Sequence, residues 1–424
     1  MINEVTNAAE ACTSLKTDAS IAKYIWEVAQ NMGLPVAVWR LPESRQLKLV
    51  VAERALWLDS FPDLERLDGG FVMATFPGAS DTKVCYLKGS LTLSWELGTG
   101  QVKLEVAHQA GSSKLTDEIL TRAKSYQSEK GEGRSDNKLK PTGLEGKKER
   151  FQRIVQVGAE AVRSGKLFKV VLSRTKEFEI RENFSFTDAF LQLEAAYPSA
   201  FVSMVSLPER EEVWLGASPE ILVEVKQHRV FQTVALAGTQ SAKDDRGDVK
   251  PKFKVLWSEK EIEEQAIVSR YIIECFKRIR LREYVESGPK SSMAGNLYHL
   301  KSDFIVDLEA VNFPELGSVM LKLLHPTSAV CGMPKEDALS LIASLEGYER
   351  AFYSGFWGPV NVDQDTHLYV NLRCLSVHKQ IMTLYAGAGI TSDSDPEAEW
   401  KETELKCDTL LSVLDPELSF DYRS

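Results

Sequence analysis

Between residues 213 and 238 the chain reads VWLGASPEILVEVKQHRVFQTVALAG, a strand, a Ser-Pro turn and a hairpin in immediate succession. Consecutive strands joined by so few residues pair antiparallel, because a parallel return needs a crossover of about a dozen residues or more. Shorter apolar runs nearer the N-terminus repeat the theme: PVAVWRL, LKLVVAE, FVMATF, VCYLKG and SLTLSWEL, separated by turn residues. Helical segments are interspersed without a regular strand–helix rhythm. The pattern predicts a mixed α+β fold rather than a doubly wound parallel sheet.

The helices announce themselves by period. Ile21, Ile25, Val28 and Met32 recur on one face, with Asp18 as a cap and Gly33 as a stop. A second helix is expected around residues 115–126, a third over RFQRIVQVGAEAVRSG ended by Gly165, and a long one over SEKEIEEQAIVSRYIIECFKRIR. The stretch SEKGEGRSDNKLKPTGLEGKKER has no aromatic residue and reads as a surface linker. Three spans follow: residues 1–124 as an N-terminal part, 125–147 as a flexible linker, and 148–424 as the main body.

Charge and composition exclude several functions. The 424 residues carry a formal net charge of −10, which argues against nucleic acid or an anionic membrane as partner. The start lacks a basic segment followed by an apolar core, and no stretch approaches 18 uninterrupted apolar residues. The six cysteines are scattered without CxxC pairing, as in a reduced cytoplasmic protein, and no histidine pair has zinc-site spacing. A strand followed by GxGxxG is absent, as is the phosphate-cradling GxxxxGK motif.

Several residues could carry chemistry. In FKVVLSR, strand alternation puts Phe168, Val170 and Leu172 on one face and Lys169, Val171 and Ser173 on the other. Lys169 is either an edge-guarding lysine or a functional one. Glu261 with Glu264, and Glu399 with Glu402, are Glu-x-x-Glu steps, each presenting two carboxylates on one helix face. Facing each other they would suit a hard divalent cation; alone they are solvated acidic faces. Glu220 stands after a Ser-Pro turn at the mouth of an apolar strand, where burial could make it an acid or local pairing could hold it. His325 lies in the punctuated loop HPTSAVCGMPKEDA, and YAGAGI supplies small residues where a backbone could approach a ligand or pack tightly.

In order along the chain, FKVVLSR, GASPEIL, ALAGT, SEKEIEEQAI, YHL, HPTSAVCGMP, ERAFYSGFWGPV, NLRC, AGAGI and DPEAEWKETELK resemble the chorismate-utilising enzymes. The resemblance runs from about residue 148 to the C-terminus, and residues 1–124 fit only loosely as the family's variable part. It implies two large, mostly antiparallel sheets packed together, helices outside, and an active site in a cleft. The amine-adding members usually carry Gln where this chain has Lys169, and aminodeoxychorismate synthases a nucleophilic Lys where it has Ala237. The chain therefore resembles the water-adding branch, isochorismate synthases first and salicylate synthases second. Gln265 departs from a frequent His, and Ser328 from a common Pro.

By the same resemblance Lys169 is the base that activates water and Glu220 the acid that protonates the leaving C4 hydroxyl. Each would work in its less common protonation state, which desolvation favours. Mg²⁺ on Glu261, Glu264, Glu399 and Glu402 would take the ring carboxylate, with Lys406 close by. Arg373 and Tyr353 would hold the enolpyruvyl carboxylate. Backbone of Gly238, Thr239, Gly387 and Gly389 would line the pocket, and His299 and His325 would orient their neighbours. The expected partner is chorismate alone, bound by a monomer that needs no amidotransferase subunit.

Overall fold

The computed structural model describes residues 20–78, 82–96, 102–106, 112–129, 137–143, 146–242, 248–294 and 297–419. Among these, two large sheets account for the strands, one of 11 and one of nine, and every pairing within them is antiparallel. The α+β expectation and its two-sheet form hold.

Strand alternation builds the layers. Along Val36–Arg40, Val36 and Val38 face a core shared with helices, whereas Ala37 and Trp39 face the core between the sheets. In the second sheet Phe71 and Met73 point into that same inter-sheet core, and Val72 and Ala74 point away to the other helices. The middle layer is aromatic: Phe201 stacks on Tyr369 at 4.2 Å between ring centroids, and Trp39 meets Phe71 at 5.5 Å. Burying each such side chain contributes roughly 1.5–3 kcal/mol.

The N-terminal strands do not form a separate body. Val36–Arg40 pairs with Phe201–Leu207 in the first sheet, and Gly70–Ala74 pairs with Phe356–Val360 in the second. The expected helices are present as Ser20–Asn31, Ser112–Glu129, Lys147–Arg163 and Glu259–Arg278. Asp18 lies outside the described residues. The span 125–147 read as linker needs correction at both ends. Residues 125–129 continue a helix, and Lys140–Thr142 pairs with the strand Lys169–Glu179. Its middle, residues 130–136, lies outside the described residues. Among the described residues no helix is long and apolar enough to cross a membrane. Five cysteines are free and buried, and Cys12 lies outside the described residues.

Candidate active site

The strand Lys169–Glu179 pairs over ten residues with Ile381–Ile390, setting Gly389 opposite Val171 and Gly387 opposite Ser173. These glycines make room. A Cβ at Gly389 would lie 2.6 Å from Lys169 Cε, and one at Gly387 would lie 2.9 Å from the Tyr353 hydroxyl. The small residues of YAGAGI thus clear space for two reactive side chains. Beside this pair of strands opens a cleft of about 790 Å³, counting its open mouth.

Lys169, Glu220, Gly238, Tyr353, Arg373, Gly387, Gly389 and Lys406 all line that cleft, as do Glu264, Glu402 and His299. Segments more than 200 residues apart in sequence therefore converge on one cavity. Thr239 lies on the strand Val230–Ser241 beside Gly238, and its side chain is outside the described residues. Gly238 adopts φ +67°, a left-handed conformation that favours glycine.

Lys169 is only 5% exposed, and its Nζ lies 3.7 Å from Glu264 Oε1. Glu220 sits in the two-residue turn between Glu212–Ser218 and Ile221–Lys226. Its backbone is pinned there: its carbonyl accepts from Val370 N at 2.9 Å, and its own N–H donates to Ser218 Oγ. Burial pushes the Glu220 carboxyl up to about 8, against the opposing pull of Lys169, Arg373 and Lys406. At neutral pH it holds its proton and is ready to act as an acid.

His299 is buried, and burial, helped by Arg373, pulls its ring down to about 3. It is a neutral imidazole. Its Nδ1 lies 2.9 Å from the Gly238 carbonyl, an acceptor, so geometry assigns the proton to Nδ1. Tyr353 stacks on Tyr385 at 5.3 Å, which stacks on Trp214 at 5.5 Å. Tyr385 also lines the cleft and was not foreseen, since an aromatic residue in an apolar strand carries no distinguishing signal. Arg373 is anchored from Nη1 to Thr409 Oγ1 at 3.2 Å, and burial lowers its guanidinium.

The four acidic candidates separate. Glu264 and Glu402 are in the cleft wall. Lys406 donates to Glu402 Oε1 at 2.6 Å and to the Gly387 carbonyl at 2.7 Å. Burial alone would raise the Glu402 carboxyl, but Lys406 more than offsets it and the net direction is down. Glu399 is 2% exposed, and Lys260 Nζ lies 3.2 Å from its Oε1. Burial, then the charge of Glu402, pushes the Glu399 carboxyl up.

Glu261 is diverted: its Oε2 accepts from Ser258 N at 2.7 Å in a capping box and from Gln240 Nε2 at 2.8 Å. Of the four carboxylates expected as metal ligands, Glu261 thus differs from the other three in having its Oε2 taken up at the helix start. Among the described residues no three His, Cys, Asp or Glu side chains stand close enough together to hold a metal ion. Lysines lie between them instead. Lys260 was missed, although it precedes Glu264 by four residues and so shares its helix face.

Three further expectations change. His325 is not in the cleft wall: its ring packs between Phe61 and Phe356, with Nε2 3.2 Å from the Thr75 carbonyl. Burial pulls it down to about 3, so it too is neutral. Ser173, expected beside Lys169 on the cleft face, is capped by Glu346 and Tyr348, at 2.8 and 2.6 Å from its Oγ. Phe168 precedes the strand and is 68% exposed, while Val170 and Leu172 are fully buried.

The family model described as "Chorismate binding enzyme" matches residues 92–415. The isochorismate synthase EntC of Escherichia coli K12 is 30% identical over 264 residues, 62% of this chain and 66% of that protein. Isochorismate synthase DhbC of Bacillus subtilis is 30% identical over 274 residues, 63% of this chain and 68% of that protein. Anthranilate synthase component 1 of Saccharolobus solfataricus is likewise 30% identical, over 63% of this chain and 62% of that protein. The matches thus span about two thirds of these relatives' own length. Two solved structures share the fold. MenF, the menaquinone-specific isochorismate synthase of Escherichia coli, has a TM-score of 0.68 at 20% identity, covering 90% of this chain and 89% of its own. Anthranilate synthase component I of Streptococcus pneumoniae TIGR4 has a TM-score of 0.65 at 20% identity, covering 88% of this chain and 89% of its own.

Proposed function

Because this chain belongs to the chorismate-binding enzyme family, we propose that it is an isochorismate synthase, converting chorismate to isochorismate. The observation that carries the reading is a lysine and a protonated glutamic acid in the wall of one cleft, Lys169 and Glu220. Adding water at C2 requires a base, and expelling hydroxide from C4 requires an acid.

Lys169, as the base, takes a proton from water while the water oxygen bonds to C2. The C1–C2 double bond moves to C1–C6, the C5–C6 double bond moves to C4–C5, and the C4–O bond breaks. Glu220 gives its proton to the departing oxygen, which leaves as water. Lysine ends protonated and glutamate ionised, and a return of the proton resets the site. Ala237 in the same cleft offers no nucleophile that would compete with water.

The remaining groups bind and orient. Arg373 can meet the enolpyruvyl carboxylate with two parallel N–H donors, and the Tyr353 hydroxyl adds a third. Neutral His299, with its proton on Nδ1, keeps the Gly238 turn in place. The donors of Glu264, Glu399 and Glu402 are hard oxygens of the kind a small divalent cation takes, and the three would have to draw closer together to hold one. Mg²⁺ held there would supply charge for the ring carboxylate.

The test is incubation of the purified protein with chorismate and Mg²⁺, with and without a chelator, followed by product analysis. Isochorismate alone, lost on chelation, is the expected result. Salicylate with pyruvate, or anthranilate when ammonium is supplied, would replace this reading.

A further inference from the structure

Each of the three carboxylates is already held by a lysine: Glu264 by Lys169 at 3.7 Å, Glu402 by Lys406 at 2.6 Å, and Glu399 by Lys260 at 3.2 Å. The three lysines are not equivalent. Lys169 is sealed in the cleft wall, with its side chain 6% exposed. Lys406 is tied a second time, to the Gly387 carbonyl. Lys260 has its side chain 46% exposed, and among the described residues its ammonium makes one hydrogen bond, to Glu399. The charges of Glu264 and Glu402 also act on it, after that of Glu399.

A lysine with this geometry is a cation on a flexible stem, paired with one carboxylate, within the field of two more, and exposed enough to swing into water. We propose that Lys260 is a built-in counter-ion, occupying the carboxylate cluster in the metal-free chain and exchanging with the divalent cation when it binds. The inference rests on the metal reading above and deepens it. It accounts for the lysine partner that each of these carboxylates has. Removing the ammonium leaves Glu399 buried without its partner, a state that a metal relieves. Metal binding in the native chain has first to break that contact.

The test measures binding of Mg²⁺ alone, by calorimetry on chelator-stripped and dialysed full-length protein without chorismate. Lys260→Met is expected to bind Mg²⁺ about tenfold more tightly, the scale set by one charge-assisted contact that no longer has to be broken. Thermal unfolding gives an independent readout. In chelator the variant melts below the native protein, and Mg²⁺ raises its Tm by more than it raises the native Tm. Lys260→Arg retains the cation and can grip Glu399 with two donors, so it binds Mg²⁺ no more tightly than the native chain. Should Lys260→Met not fold in chelator, the arginine variant still decides, since tighter binding by it overturns the exchange. Equal or weaker binding by Lys260→Met also overturns it. Absence of Mg²⁺ uptake by all three proteins overturns the metal assignment itself, whereas uptake with equal affinity overturns the exchange alone.

Discussion

Two carboxyl groups associated with the Lys169–Glu179 strand are equally hidden from solvent and surrounded in opposite ways. Glu346 accepts four hydrogen bonds: from Ser173 N at 2.6 Å, Ser173 Oγ at 2.8 Å, Arg350 Nε at 2.8 Å and Arg350 Nη2 at 2.6 Å. Arg350 in turn donates to the carbonyls of Val171 and Val330, both cleft residues. That network is closed. Glu220, 5% exposed, receives no hydrogen bond at its carboxyl group from any described residue, and its proton is retained to about pH 8. Full satisfaction makes a rigid wall; withheld satisfaction makes an acid. The same depth of burial thus goes with a closed hydrogen-bond network in one place and with a retained proton in the other.

The comparison breaks most visibly at the reactive pair. Lys169→Ala and Glu220→Gln should each lower isochorismate formation about 10²–10⁴-fold, the usual contribution of one positioned acid or base. Circular dichroism should be unchanged, because neither side chain is part of the closed network. Near-native turnover by Glu220→Gln would remove the acid from the mechanism.

Glu220 should also leave a signature in stability against pH. Its folded value of about 8 lies above the ordinary 4.5. Below pH 4.5 both states bind the proton and the group is neutral to folding. As pH rises from 4.5 to 8 the unfolded chain releases the proton while the folded chain keeps it, so stability falls, and above 8 the loss is complete. The total is about 5 kcal/mol at about 1.4 kcal/mol per pH unit. Denaturant titrations between pH 5 and pH 8.5 should show Glu220→Gln lacking that slope. Turnover should fall with the same midpoint, near pH 8, as the acid ionises.

Arg350 tests the other side. Arg350→Met strips Glu346 of its cation in a site where both side chains are 2% exposed. An uncompensated buried charge costs about 3–5 kcal/mol, read as a lower denaturation midpoint with an unchanged slope. Arg350→Lys restores charge without the fork and should recover part of the stability. If Arg350→Met lowers turnover without lowering stability, the closed network is catalytic and the distinction drawn here collapses.

The residues themselves explain how much of this was legible from sequence. Alternation of period two assigns Ala37 and Trp39 to one face and Val36 and Val38 to the other, whereas the packing of two sheets was implied only by the family resemblance. Lys169, Glu220, Arg373 and Tyr353 each lie inside one of the ten ordered motifs, and all four line the cleft. What sequence reading missed depends on a choice between two local roles or on contacts far apart in the chain. Ser258-x-x-Glu261 is a capping box as readily as Glu261-x-x-Glu264 is a ligand pair, and the helix start takes precedence. Lys260 meets Glu399 across 139 residues. The three-residue strand Lys140–Thr142 is too short to show any period and contains a proline.

His325 is the mildest test, and it concerns residues that a motif contains without using at the site. It lies in HPTSAVCGMP, two of whose residues, Ala329 and Val330, do line the cleft. Its own ring faces Phe61 and Phe356, and its carbonyl accepts from Lys335 Nζ at 2.8 Å. The ring therefore packs the base of the loop, outside the cleft wall. His325→Gln keeps a donor for the Thr75 carbonyl but loses the aromatic contacts, a cost of about 1 kcal/mol. The measurement is paired: a small drop in denaturation midpoint, with the KM for chorismate within about twofold of the native value. A large rise in KM at unchanged stability would return His325 to the binding site and make the loop, rather than only its Ala-Val tip, part of substrate recognition.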